Sequence, residues 1–507
     1  MIRLAAAAAA VAVAVATTLT PVAPASAAPA ELTFLEVEKN GVGGVSGIDQ
    51  PLDLAIAPDG DNVYVVGGGS NSVAAFHIDS GESDLDFDGA VVDGAGGVDG
   101  IAGARGIAVS PGGEHVYVAG NTENAVATFL RNLNGSLTFL EEDVDGSGGV
   151  DGLSGAWAVT VAPDGGSVYV TSDLESSVAV FDRDPTTGLL TFVEAEQDGV
   201  GGVDGLGNAT GVAVSPDNKH VYVTGCLDNG VATFSRDATT SALTFVEKDE
   251  NGDPGVSGLA CARGLAVAPG GKHVTVAAET GDSLVTFNRD ATSGALTFAS
   301  RATNGVDGVT GLDGVRDVVF SPDGTQVFGA GFVADSLTSF TRDPSTGALT
   351  FVDAELEGVG GVDGLNSAAS VVVQPDGAGV YVSAEVEDSV AVFTRDASAP
   401  PSPPAPATRS VTLKASKTVV VKGKKVKFSG AVSSATTSCA SGVPVSLTRK
   451  VGKKPFKTVK TLTTNAQGKY KIKIKVKKKA KYRVVVAATP TCGAAQSKQV
   501  KVKLKKP

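Results

Sequence analysis

Short apolar runs broken by polar turns recur along the chain at a fixed period. The pattern x-Pro-[Asp/Gly]-[Gly/Asn] appears at Pro58, Pro111, Pro163, Pro216, Pro269, Pro322 and Pro375, spaced 53, 52, 53, 53, 53 and 53 residues apart. An alternating or continuous apolar run precedes each proline, such as Gly211-Val212-Ala213-Val214-Ser215. Three more follow it: Val221-Tyr222-Val223, Val231-Ala232-Thr233-Phe234 and Leu243-Thr244-Phe245. Runs this short, joined by Pro-Asp-Gly and Asp/Asn-rich segments, predict strands and hairpin turns. Four short strands per repeat of about fifty residues make one propeller blade.

The phase of the repeat sets the number of blades. The fourth run reads LTF or LDF and ends at Phe34, Phe87, Phe139, Phe192, Phe245, Phe298 and Phe351. Its first copy precedes the first complete trio, and the last trio, ending at Phe393, has no LTF after it. Leu32 to Phe34 is therefore expected to supply the outer strand of the last blade. That closes a seven-bladed ring and removes its open sheet edges. A linear β-solenoid gives no reason for this displaced strand.

The VSPDGxxVYV grammar and the FxRDxxTGxLTF hairpin, repeated seven times, resemble the lactonase family of seven-bladed propellers over about residues 31 to 396. That family includes bacterial 6-phosphogluconolactonases and related cycloisomerases. The resemblance implies an all-β propeller and, at its channel mouth, hydrolysis of a sugar lactone or another lactone. The family often carries an Arg-His pair just before the inner strand. Here Arg105, Arg263 and Arg316 match the Arg, but Gly106, Gly264 and Asp317 follow them. The pair is incomplete.

Propellers run their innermost strands along a central channel and bind ligands at one face. Six residues before each repeat proline stand Leu52, Arg105, Trp157, Thr210, Arg263, Arg316 and Ala369. Ten residues after it stand Gly68, Asn121, Asp173, Cys226, Glu279, Phe332 and Glu385. Both sets are expected at the channel mouth. Arg105, Trp157, Arg263, Arg316 and Asp317 are the candidate ligand-binding residues, because guanidinium groups clamp carboxylates, phosphates or a lactone carbonyl. Asp173, Glu279 and Glu385 are the candidate catalytic carboxylates, able to activate water if burial raises their pKa. The same set also reads as a ring of structural ion pairs. His115, His220 and His273 fall in turns at the opposite face and read as solvated. Arg131, Arg183, Arg236, Arg289, Arg342 and Arg395 close third strands, mostly within Arg-Asp as at Arg236-Asp237, and read as local pairs or hairpin contacts. Ser46, Asp99, Asp151, Asp204, Ser257, Thr310 and Asp363, twelve before each proline, read as turn-holding acceptors.

Charge divides the chain. Of 42 basic and 55 acidic residues, 27 basic and no acidic ones lie after position 408, so the two parts carry −40 and +27. Between them Ala399–Ala407 reads APPSPPAPA, an extended spacer. The expected organisation is a leader at 1–27, a propeller at 28–396, a Pro-rich linker at 397–408 and a basic module at 409–507. The leader has Arg3, the apolar run Leu4–Ala16 and a small-residue site at Ala25-Ser26-Ala27. It predicts an exported protein, secreted or held at the cell envelope. No other apolar run is long enough to span a membrane.

The basic module predicts a small β-sandwich. Lys469–Val476 alternates lysine with apolar residues, and VSLTRK and NAQGKY resemble bacterial immunoglobulin-like modules. Its lysines suit an anionic cell-wall polymer, although docking on the chain's own acidic propeller is the alternative. The overall charge of −13 and the absence of interleaved aromatics argue against nucleic acid. Four cysteines in an exported chain suggest two disulfides in one of three pairings, of which pairing within each domain, Cys226–Cys261 and Cys439–Cys492, is the simplest. No cofactor or metal is expected. DGxGGVDG loops such as Asp145–Gly152 hint at calcium, but they lack the motif of calcium-bearing β-helices. The incomplete Arg-His pair favours a binding or surface-interaction protein with a basic attachment module; a lactone hydrolase acting at the channel mouth is the alternative.

Overall fold

The computed structural model describes residues 31–78, 83–395, 409–434, 440–452, 456–486 and 495–505. The chain divides into two units, 1–398 and 399–507. All regular elements among the described residues are strands, and no helix there is long and apolar enough to cross a membrane. The leader, the linker and the Cys439–Cys492 pairing lie outside the described residues.

The first unit is seven four-stranded antiparallel sheets. The first blade runs Pro51–Ile56, Asn62–Gly67, Ser72–Ile78 and Leu85–Val92. The seventh takes three strands from Ala368–Val373, Gly379–Ala384 and Ser389–Arg395, and its fourth is Leu32–Lys39. Leu32 faces Arg395 and Lys39 faces Ser389 across this closure. The outer strands are eight residues long, extending past the LTF triplet through a bulge after the phenylalanine, as between Phe34 and Glu36. In every blade that phenylalanine meets the third-strand phenylalanine edge to face, as Phe34 meets Phe393 at 5.6 Å. The second strands are buried throughout, so their alternate residues fill two neighbouring interblade cores.

The blades are joined by charge as well as by packing. Arg236 forks Asp164 of the preceding blade with bonds of 2.8 and 3.0 Å and donates to Tyr169 Oη at 2.8 Å. Arg131 does the same to Asp59 and Tyr64, and Arg289 reaches Asp217, His220 and Tyr222. These arginines are therefore interblade staples, not local hairpin contacts. The histidines are corrected with them. His115, His220 and His273 are 3%, 2% and 1% exposed, and each ring accepts from an arginine of the next blade. Burial, then the adjacent arginine, lowers their pKa, so they are neutral acceptors. Solvated turns would have left them exposed. In the first blade the arginine position holds Ile78. The matching Tyr381 hydroxyl, buried at the seam between the last and first blades, has no hydrogen-bond partner among the described residues.

The second unit is a two-sheet β-sandwich. Lys425–Ser433 pairs with Lys469–Lys475 in one sheet; Pro444–Lys450, Lys457–Thr463, Ala480–Val486 and Val500–Leu504 form most of the other. Val426, Phe428, Ile472, Leu447, Tyr482 and Val484 fill the space between them. Period-two alternation leaves lysines outside. Lys425 stands opposite Lys475, Lys427 opposite Lys473 and Ser429 opposite Lys471, and all five lysines are exposed.

Candidate functional site at the channel mouth

The residues six and five positions before every repeat proline line one cavity of roughly 200 Å³ at the ring centre. Each inner strand starts here, so equivalent positions of seven blades converge. The chain must be thin at the inner position. A Cβ on Gly106 would sit 2.5 Å from Trp157 O, and one on Gly264 would sit 2.6 Å from Arg316 O. Small residues at this ring position follow from that approach.

The outer ring brings the predicted residues together. The Arg105 guanidinium lies 3.3 Å above the Trp157 ring, with Arg263 5.1 Å from the same ring. Arg316 stacks on Phe332 at 3.1 Å. Glu279 binds both Arg263 and Arg316, the latter at 2.8 Å, and Glu385 takes a second Arg316 nitrogen at 3.0 Å. Arg105 makes no hydrogen bond or ion pair among the described residues. Burial pushes Glu279 up, but the two arginines outweigh it and hold its pKa below the usual carboxylate range. Burial and the neighbouring Arg263 lower Arg105 to about 10, which keeps it a cation at neutral pH.

The three predicted carboxylates thus divide. Glu279 and Glu385 position arginines. Asp173 differs: burial raises its pKa, only partly offset by Arg105 and by Asn121, which lies 3.5 Å away. The Cys226–Cys261 disulfide joins the fourth and fifth blades beside this site, as expected.

Asp317 lies one residue deeper and has partners the sequence reading missed. Ser370 Oγ is 2.8 Å from Asp53 Oδ1 and 2.9 Å from Asp317 Oδ2. Each carboxylate also accepts a backbone N–H from the next blade, Ile107 at 3.0 Å and Val371 at 3.0 Å. Burial and then the Asp317 charge push Asp53 up to about 7. The signal was present: five residues before the prolines the series reads Asp53, Gly106, Ala158, Gly211, Gly264, Asp317, Ser370.

Carboxylates also gather outside the channel, as in Asp93, Asp99 and Glu123 or Glu357, Asp363 and Glu387. Their roles are structural where the bonds are visible. Asp93, Asp145 and Asp198 accept the N–H of Ile101, Leu153 and Leu206. These residues brace the loops, in place of Asp99, Asp151 and Asp204 six positions later. Lys39 bridges Asp363 and Glu387 at 2.9 and 2.7 Å.

The family model for the lactonase seven-bladed β-propeller matches residues 25–151, 58–204, 152–310, 212–363 and 308–400. The chain belongs to the lactonase family. No curated protein matches it. Solved structures similar to this lactonase-family chain include a candidate 6-phosphogluconolactonase from Bacteroides uniformis, 18% identical, covering 66% of this chain and 90% of that one at a TM-score of 0.52. The periplasmic gluconolactonase of Pseudomonas aeruginosa is 22% identical, covering 60% and 85% at 0.49. Hydrazine synthase of Kuenenia stuttgartiensis is 17% identical, covering 70% and 98% at 0.51. These likenesses are of fold, and chemistry must be argued from the site. Here the lactonase-family Arg-His pair is replaced: all three turn histidines are committed to the interblade staples.

Proposed function

We propose that the propeller is a lactone hydrolase acting on a small oxygen-rich, anionic lactone such as a sugar lactone. The observation that carries this reading is Arg105. It is a half-buried cation stacked on Trp157 that lines the cavity and makes no ion pair among the described residues, while Glu279 holds Arg263 and Arg316 beside it. Such a group binds a substrate anion or the oxyanion that forms when water attacks the carbonyl. Family membership supports the same chemistry. The leader-like N-terminus and the disulfide support action outside the cytoplasm.

The test is hydrolysis of glucono-δ-lactone and its 6-phosphate by the full chain and by Arg105→Ala. Turnover that falls at least about 100-fold in the folded variant is expected, the loss typical of one oxyanion donor. No turnover above background on either lactone refutes the reading and leaves the propeller as a binding platform.

The lysine ladder favours a second role for the C-terminal unit, attachment to a linear phosphodiester polymer of a bacterial envelope. Lysines repeat along each strand at every second residue, about 6.7 Å apart, so a polymer with regularly spaced charges meets them in turn. The side chains between them point inward, leaving no aromatic or large apolar group on this face to enter a bilayer or stack on bases. Salt-dependent binding to poly(glycerol phosphate) tests this role.

A further inference from the structure

Three consecutive blades place polar side chains at the inner ring, where the other four have glycine or alanine. The seventh contributes Ser370, and its neighbours on either side contribute Asp317 and Asp53. Ser370 Oγ is within hydrogen-bond distance of both carboxyl groups, at 2.8 and 2.9 Å. A hydroxyl carries one hydrogen. It satisfies one carboxylate; the other contact needs a hydrogen from the carboxyl side. Among the described residues, the remaining donors to the pair are backbone N–H groups of Leu54 and Ile107 on Asp53, and of Val318 and Val371 on Asp317. None of these supplies that hydrogen. The consistent arrangement is a carboxylic acid donating to Ser370, which donates to the opposite carboxylate.

The surroundings favour one shared proton. Two carboxylates this close, in a part-buried wall, resist double ionisation. The other charged groups at this cavity and its mouth are Arg105, Arg263 and Arg316, with Glu279, Glu385 and Asp173. Glu279 and Glu385 engage two of the three arginines. Burial raises both aspartates, Asp53 to about 7, so the proton is retained near neutral pH.

We propose that Asp53, Ser370 and Asp317 form a proton relay that supplies both the general base and the general acid for ring opening in this cavity. The proposal rests on the hydrolase reading. The ionised aspartate takes a proton from the attacking water as the new C–O bond forms. The neutral one gives its proton to the ring oxygen as the acyl C–O bond breaks. Lactone and water become the hydroxy acid, and the pair still holds one proton, now on the other carboxyl. Transfer through the Ser370 hydroxyl restores the starting state. This role fills the gap left by the missing histidine, the usual proton carrier at this pH.

Two measurements on the full chain test the relay. The first is the infrared difference spectrum between wild type and Asp53→Asn/Asp317→Asn. A protonated-carboxyl C=O stretch, lost with a midpoint near pH 7, is expected; its absence overturns the shared proton. The second is glucono-δ-lactone hydrolysis by Ser370→Ala and Ser370→Thr. Alanine is expected to lower kcat at least tenfold with KM within twofold and to shift the pH profile. Threonine, which keeps the hydroxyl, is expected to restore most of the rate. A wild-type rate and pH profile in Ser370→Ala overturns the relay while leaving the hydrolase reading intact. No turnover in wild type overturns the hydrolase reading and the catalytic role together, whatever the infrared spectrum shows.

Discussion

Replacing four ladder lysines, Lys425, Lys427, Lys471 and Lys473, with glutamine separates a shaped polyanion site from mere net charge. Register places these four on adjacent strands of one exposed face, with Lys469 and Lys475 completing the ladder. Each lysine that neutralises a phosphate on a flexible single chain contributes about 0.7 to the slope of log affinity against log salt. Six contacts give a slope of about −4, so affinity for poly(glycerol phosphate) falls by about 300-fold between 50 and 200 mM salt. With two contacts left the slope is about −1.4 and the fall only about sevenfold. The comparison is Lys457→Gln/Lys460→Gln/Lys477→Gln/Lys479→Gln, which removes the same charge from exposed positions off the ladder. Titrating labelled polymer at several salt concentrations reads the slope directly. The ladder variant is expected to flatten it and the comparison variant to leave it near the wild-type value. Equal slopes in both variants would refute the register argument and leave only diffuse charge. The ladder variant should also melt higher than wild type at low salt, because two like-charged cross-strand pairs are gone.

Other outcomes follow from the propeller. Asp53 binds its proton more tightly folded than unfolded. Stability it contributes is therefore present below the unfolded value of 3.8 and lost as pH rises to about 7. The loss is about 4 kcal/mol, or about 5 °C in Tm for a unit of this size, and Asp53→Asn should abolish that part of the pH dependence; parallel melting curves against pH would exclude it. Arg236→Ala removes a buried staple whose side chain is 1% exposed, and should cost about 3 kcal/mol in urea unfolding. Reducing Cys226–Cys261, which spans 35 residues, should cost about 4 kcal/mol and lower Tm by about 5 °C without abolishing the fold.

The period of the prolines and the displaced LTF made the ring legible, because each blade repeats the same local chemistry. Comparing equivalent positions also placed the mouth residues correctly, since a fixed offset from the proline is a fixed height along the channel. Contacts between blades were harder to read. Arg236 meets Asp164 at a separation of 72 residues, neither the repeat length nor a hairpin distance, so a neighbouring Asp237 looked like the partner. That aspartate instead accepts the N–H of Thr239 and Thr240. His220 looked solvated because a turn beside Asn218 and Lys219 usually is, yet the adjoining blade covers it. Asp53 escaped notice because four of its six repeat equivalents are glycine or alanine, and a column of small residues reads as spacing rather than chemistry. Its meaning appears only where Ser370, 317 residues away in the chain, comes beside it.

The outer strand Leu32–Lys39 has a consequence for biogenesis. It leaves the ribosome before any other blade element, yet its partner Ser389–Arg395 is synthesised some 350 residues later. No nascent chain can finish the ring until the last blade has emerged. Until then, the strand's hydrogen-bonding edge and its Phe34 wait unpaired. Closure is thus late and long-range, the slow kind of step. A chain exported before that step would travel with its ring still open and complete it only at its destination.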